Sequence, residues 1–148
     1  MKSMWQHDTR REVVNRLGQL TPDRRAEWGR MSAQQMICHL TASVQMANGE
    51  KMVAAKHTPL RYPVIKQLLL YALPFPKNVP TAPELLVPST PNDWRKDVGD
   101  LQAALDRFVA RGPEARWCDH PAFGPLSARQ WGVLVYRHLD HHLRQFGV

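Results

Sequence analysis

Six prolines lie close together in the middle of the chain, from Pro74 to Pro91. Each proline holds φ at about −65° and removes a backbone donor, so the segment Pro74–Pro83 can be neither a helix nor a central strand. On both sides of it, apolar residues recur at three- and four-residue spacing, which is typical of amphipathic helices. No strand pattern competes. The sequence therefore predicts an all-α helix bundle with a long proline-rich crossover.

Capping sequences predict where three helices begin. Thr9, Ser32 and Ser127 each precede a Glu or Gln by three residues, the spacing of a capping box. The second of these helices is predicted from about Ala33 to Ala47, and the last continues to Gly147. The first would present an apolar stripe made of Val13, Val14, Leu17 and Leu20.

Prolines and glycines predict the remaining elements. A short helical turn is expected over residues 22–28, and an apolar helix over Pro63–Leu73. A further main helix begins at residue 92 or 93 and is closed by Gly112. Its predicted core positions are Val98, Leu101, Leu105, Phe108 and Val109. At 148 residues, the chain is expected to form one domain spanning residues 1–148.

Composition and charge argue against a membrane, secreted or nucleic-acid-binding protein. No apolar run approaches the roughly 20 residues of a membrane span, and the first residues lack the apolar core of a signal peptide, so a cytoplasmic location is expected. Cys38 and Cys118 are then expected to be reduced thiols. The net charge of +7 raises the question of nucleic acid, but the basic residues form no run. A solvated basic surface that tolerates a small anionic substrate is the preferred interpretation.

Two histidines near the C-terminus carry the strongest chemical signal. His138 and His142 are four residues apart, so their Cβ atoms lie about 5–6 Å apart on one helix face, and both imidazoles can reach one metal ion. Histidine pairs on helices are often only surface residues. Here Trp131, Leu134 and Val135 share that face and turn it toward the interior, where a histidine must be neutral or partnered. Metal binding satisfies both conditions.

His39, in the middle of the second predicted helix, is the third candidate ligand. A lone histidine there is more often a hydrogen-bonded core residue, but the inner face of a bundle helix is also where a metal site draws its ligands. Three histidines leave a fourth position open, as in catalytic zinc sites. Imidazole ligands also suit nickel, copper or iron.

Neighbouring polar residues have several possible roles. His120 could be a fourth ligand, an acid/base residue or, preferably, a packing group in its loop. His141 flanks the histidine pair and is interpreted as supporting the ligands or lying at the surface. Asp140 and Gln145 could orient ligands or be solvated. Cys38 adjoins His39, but adjacent helix positions point about 100° apart, so a buried inert thiol is expected.

Three segments of the chain resemble the DinB-like (DinB/YfiT) superfamily: Trp28–Leu40, His120–Gly124 and His138–Gly147. The resemblance covers nearly the whole chain, with the two end motifs the more specific. It implies a four-helix bundle in up-down-down-up order, commonly a homodimer. It also implies that His39, His138 and His142 bind zinc, nickel or a similar divalent ion.

The branch of the superfamily that the chain resembles is uncharacterised and implies no activity of its own, so a function is suggested only by other members. Characterised relatives include metal-dependent transferases that use a low-molecular-weight thiol, such as bacillithiol, mycothiol or glutathione, and a mycothiol-dependent maleylpyruvate isomerase. Thiol transfer is therefore the preferred hypothesis, with Arg137 or Arg144 meeting the carboxylates of the thiol. Hydrolysis at the metal is the sister hypothesis. A non-catalytic metal-binding or stress-response protein, with His120 as a fourth ligand, is the alternative, and nucleic-acid binding ranks last.

Overall fold

The computed structural model describes residues 1–77, 81–86 and 93–148. These residues form five α-helices and two short 3₁₀ helices, Pro59–Arg61 and Pro83–Leu85, with no strand among them. The α-helices are α1 (His7–Leu17), α2 (Ala33–Asn48), α3 (Pro63–Tyr71), α4 (Trp94–Arg111) and α5 (Ala128–Gln145). The predicted all-α class is confirmed.

Capping boxes begin α2 and α5, as predicted. The Ser32 hydroxyl accepts from the Gln35 backbone N–H at 3.1 Å, and the Gln35 side chain accepts from the Ser32 N–H at 2.9 Å. Ser127 and Gln130 form the same pair at 3.2 and 2.9 Å. Each cap stabilises its helix by about 1 kcal/mol. α2 then ends one residue beyond the predicted Ala47.

The capping box predicted at Thr9 is wrong, because α1 already begins at His7. Thr9 lies buried in the first turn, and its hydroxyl donates to Gln6 Oε1 at 3.2 Å. The preceding residues are held by α5: the Trp5 indole donates to the Ala128 carbonyl at 2.8 Å. A tertiary contact therefore sets the start of α1. Val14, predicted on the apolar stripe, is 46% exposed.

The short helical turn predicted over residues 22–28 is also absent. The structure has only turns and bends there. The Glu27 N–H donates to the Gln145 carbonyl at 2.8 Å, and the Arg24 guanidinium donates to the Phe146 carbonyl at 2.9 Å. The last carbonyls of a helix lack donors within the helix. Here the connector provides donors for the carbonyls at the end of α5 and forms no helix of its own.

The crossover differs from expectation in two details. α3 ends at Tyr71, two residues before the predicted Leu73, where Arg137 donates to the Leu70 carbonyl at 2.9 Å. Pro83, the last residue of the segment predicted to lack helix, opens a single 3₁₀ turn, since proline is tolerated at a first helical position. α4 begins after Asp93, one of its two predicted starts, and the other, Asn92, lies outside the described residues.

Packing between helices places the inner face of α2 against α4 and α5. α2 packs chiefly on α4, and α5 packs on α1, α2 and α3. The buried side chains form one hydrophobic core that includes Met36, Leu40, Leu101, Leu105, Phe108, Trp131, Leu139 and Leu143. Of the predicted α4 core positions, Val98 and Val109 are only half-buried. This packing brings His39 of α2 opposite the histidines of α5.

Cys38 and Cys118 form no disulfide with each other; Cys118 is exposed and Cys38 is half-buried. Within the described ranges, no helix is both long enough and apolar enough to cross a membrane.

Two helical glycines give a matched test of this packing. A Cβ on Gly132 would lie 2.5 Å from Ser3 Oγ and closer still to Trp5 Nε1, whereas a Cβ on Gly99 meets nothing within 4 Å. Trp5 cannot easily yield, because its ring stacks on Phe108 with centroids 4.8 Å apart. We expect Gly132→Ala to destabilise the protein by about 2 kcal/mol in urea unfolding. Gly99→Ala should stabilise it by about 0.5–1 kcal/mol, and equal effects of the two would contradict this packing.

Candidate metal centre

Three histidines from two helices meet at one point. The ligating nitrogens of His39, His138 and His142 all lie within 4.8 Å of one another. His39 Nε2 and His138 Nε2 are 3.2 Å apart. Two imidazole nitrogens bound to a tetrahedral zinc ion at about 2.0–2.1 Å would be separated by roughly 3.4 Å. The three predicted residues therefore form a group that could hold a metal ion.

Hydrogen bonding directs the lone pair of the inner nitrogen of His39 toward His138. Its Nδ1 lies 3.3 Å from the Leu85 carbonyl. A carbonyl oxygen only accepts, so Nδ1 carries the proton, and Nε2 presents its lone pair toward His138. Leu85 belongs to the 3₁₀ turn of the crossover, which thus orients a residue of α2.

A glutamine orients His142 in the same way. His142 Nδ1 donates to Gln145 Oε1 at 2.8 Å, and Gln145 Nε2 donates to the Trp28 carbonyl at 2.7 Å. The bond to Trp28 fixes the amide so that its oxygen faces the histidine. Of the two roles considered for Gln145, the structure supports orienting a ligand, since the side chain is buried. Metal-binding histidines typically make such a second hydrogen bond.

Burial keeps the three imidazoles neutral. It lowers the pKa of His39, the pKa of His138 falls well below its usual value, and the pKa of His142 falls to about 3. Neighbouring imidazoles lower the pKa of His138 and His142 further, since two adjacent charges would repel. Neutral imidazole is the form that binds metals, so no proton has to be displaced at pH 7.

The group lies on the wall of a large cavity that is partly open to solvent. Its volume is about 1280 Å³, and its surface is mostly apolar. α2, α3 and α5 contribute to the wall, together with the connector at Trp28 and the crossover around Leu85. A ligand in this space could reach a metal ion held by the three histidines.

His120 has the packing role predicted for it. Its Nδ1 accepts from the backbone N–H groups of Ala122 and Phe123 at 3.0 and 3.2 Å, and its ring packs against Trp131. Burial lowers the pKa of His120 to about 4. Its ring also lines the cavity. Among the described residues, however, the group that could hold a metal ion, called here the metal-holding group, consists of His39, His138 and His142 and does not include His120.

His141 and Cys38 also lie outside the metal-holding group. His141 is half-buried on the cavity wall, with its ring 5.2 Å from that of His142 and 5.9 Å from Trp28. Cys38 is not part of the cavity lining. Burial, reinforced by the charge of Asp97, raises the pKa of the Cys38 thiol to about 11, which disfavours the reactive thiolate, but the predicted burial is only partial.

Three charged residues on α5 do not have the roles considered for them. Asp140 pairs with Arg16 at 2.8 Å and with Arg144 at 3.1 Å, so it orients no ligand. Arg137 caps α3, and neither Arg137 nor Arg144 lines the cavity. The lining arginine is Arg30, which the sequence analysis missed. The sequence signal that could have indicated Arg30 is its place in the Trp28–Leu40 segment, just before the helix that carries the candidate ligand His39.

Comparison with known proteins assigns the chain to one family. The profile described as "Protein of unknown function (DUF1569)" matches residues 2–147, so the chain belongs to this family. No curated protein and no solved structure matches it.

Metal content should depend on the three histidines. In tag-free protein reloaded with zinc, elemental mass spectrometry should find about one equivalent per chain, and His39→Ala and His142→Ala should each lose it. His57→Ala is the matched control, because His57 is exposed and distant in sequence from the group. Zinc retained in both site variants would show that these histidines are ordinary core residues.

The hydrogen bond from His142 to Gln145 should tune metal affinity. We expect Gln145→Leu, which removes the acceptor, to weaken zinc binding by about 10–100-fold in a chelator competition. Gln145→Glu keeps an oxygen for His142 and should bind zinc at least as tightly as Gln145→Leu does. Equal zinc affinity in the parent and in both variants would mean that Gln145 contributes packing and does not tune metal binding. Circular dichroism checks that each variant folds.

Proposed function

We propose that this member of a family of unknown function is a metal-dependent enzyme that transfers a group to or from a low-molecular-weight thiol. Zinc or nickel, held by His39, His138 and His142, would be its metal. One observation carries the proposal: neutral imidazoles converge on one point of a large cavity wall while the outer nitrogens of His39 and His142 are already hydrogen-bonded. A site meant only for packing does not require that arrangement.

The number of ligands favours a catalytic site over a structural one. Structural zinc sites use four protein ligands, whereas catalytic sites use three and leave a position for substrate or water. Among the described residues, the metal-holding group has three members, and both His120 and His141 stand outside it. A divalent ion bound here would lower the pKa of a coordinated thiol or water and so provide a nucleophile near neutral pH.

The chain's own residues would prepare this site in two ways. Gln145 and the Leu85 carbonyl hold two ligand rings in position before a metal or substrate arrives, which lowers the cost of ordering them. The apolar cavity wall limits water around the reacting groups and strengthens electrostatic interactions there. A compact organic thiol would fit this volume.

The finer structural parts of the proposal come from the resemblance to the DinB-like superfamily. We propose that α1, α2, α4 and α5, the four longest helices, form its up-down-down-up bundle, and that α3 belongs to the crossover. The lengths support this: these helices have 11, 16, 18 and 18 residues, against 9 for α3. A cytoplasmic homodimer is part of the same proposal.

A thiol-conjugation assay tests the activity. The zinc- and nickel-loaded chain is mixed with glutathione, bacillithiol or mycothiol and monochlorobimane, and the fluorescent conjugate is followed. We expect catalysis with at least one thiol and a loss of about a hundredfold or more in His138→Ala, while His57→Ala stays active.

Other results would contradict thiol transfer in specific ways. Metal-dependent cleavage of p-nitrophenyl acetate without thiol consumption would indicate a hydrolase. One equivalent of metal with neither activity would favour a protein that only holds the ion.

A further inference from the structure

We propose that the cavity binds an organic anion whose carboxylate is held at the end where Arg30 and Lys77 flank Trp28. The rest of the ligand would extend along the apolar wall toward the three histidines. The inference rests on the proposed function for the ligand's role as substrate or co-substrate, whereas anion binding can be measured without it.

Arg30 is available to a ligand. It lines the cavity and is exposed, and it has no hydrogen bond or ion pair with any residue in the described part of the chain. By contrast, Arg16 pairs with Asp140, and Arg24 donates to the Phe146 carbonyl. A guanidinium fork matches a carboxylate with two parallel hydrogen bonds, so an unpaired lining arginine is a natural anion contact.

Trp28, two residues before Arg30 and also part of the cavity lining, contacts a second cation and carries a donor without an acceptor. Lys77 Nζ lies 4.0 Å from the ring centroid of Trp28, a cation–π contact; Trp28 lines the cavity, whereas Lys77 is not among the lining residues. The Trp28 indole nitrogen is buried and has no acceptor within residues 1–77, 81–86 and 93–148. Buried donors without acceptors are costly, and a ligand oxygen brought to this corner would supply one.

The charges around the cavity favour an anion. Its described lining contains Arg30 but neither Asp nor Glu. The carboxylate of Asp140 on α5 is already shared between Arg16 and Arg144. A divalent ion at the three histidines would add further positive charge. Charge of one sign on low-dielectric walls concentrates ligands of the opposite sign.

The apolar wall specifies the remainder of the ligand. Leu60, Leu69 and Phe123 line the cavity, and its volume of about 1280 Å³ exceeds the range of about 300–1,000 Å³ usual for small-molecule sites. A ligand with a carboxylate and an apolar body would fit both the Arg30 end of the cavity and its apolar wall. The carboxylate could belong to an apolar acid or to the thiol co-substrate, and the chemistry at Arg30 is the same for both.

Isothermal titration with octanoate, 1-octanol and glutathione tests the inference in zinc-loaded and chelator-treated protein. Octanoate should bind at least tenfold more tightly than 1-octanol, which has the same chain without the charge. Arg30→Gln should weaken the binding of octanoate about tenfold and leave the affinity for 1-octanol unchanged. Arg25→Gln is the matched control, because Arg25 is exposed and outside the cavity lining but carries the same charge.

The outcomes separate this inference from the proposed function. Octanoate binding that depends on Arg30 in chelator-treated protein supports the anion subsite even if no metal activity is found. Glutathione binding that depends on Arg30 supports it and assigns the carboxylate to the thiol. Equal effects of Arg30→Gln and Arg25→Gln, or equal affinities for octanoate and 1-octanol, would overturn it.

Discussion

His39 Nε2 and His138 Nε2 face each other at 3.2 Å across the contact between α2 and α5. The proton of His39 is on the opposite ring nitrogen, so His39 Nε2 can accept a hydrogen bond from His138 Nε2 or bind a metal ion. His142 brings a third imidazole to the same space, and burial keeps all three neutral. Two irregular segments, the connector at Trp28 and the crossover at Leu85, lie close to these rings.

Those two segments reach the site through backbone carbonyls. Leu85 in the crossover accepts from His39, and Trp28 in the connector accepts from Gln145, which in turn accepts from His142. Both segments also line the cavity. The orientation of the candidate ligands and the shape of the cavity therefore depend on the same two segments. A change in the position of Leu85 would alter the orientation of the His39 ring, although the two residues are separated by 46 positions in sequence.

Local chemistry explains which elements could be predicted. The caps at Ser32 and Ser127 are formed by residues three positions apart, so their geometry follows from sequence spacing alone. Thr9 has the same spacing, but docking of Trp5 on α5 starts the helix earlier. Residues 22–28 likewise gave a helical signal, and their donors bind the end of α5 instead. Those contacts join residues more than a hundred positions apart, which no local pattern reveals.

By itself, the sequence determined the helical class, the inward face of α5 and the pairing of His138 with His142, because a helix places residues four apart on one side. Only the tertiary structure brought His39 to that pair, settled the protonated nitrogens of His39 and His142, and made Arg30 rather than Arg137 or Arg144 the cavity arginine. The physical reason is the range of the interactions. Helix periodicity acts over one or two turns, whereas ring orientation and charge pairing depend on partners supplied by other segments of the chain.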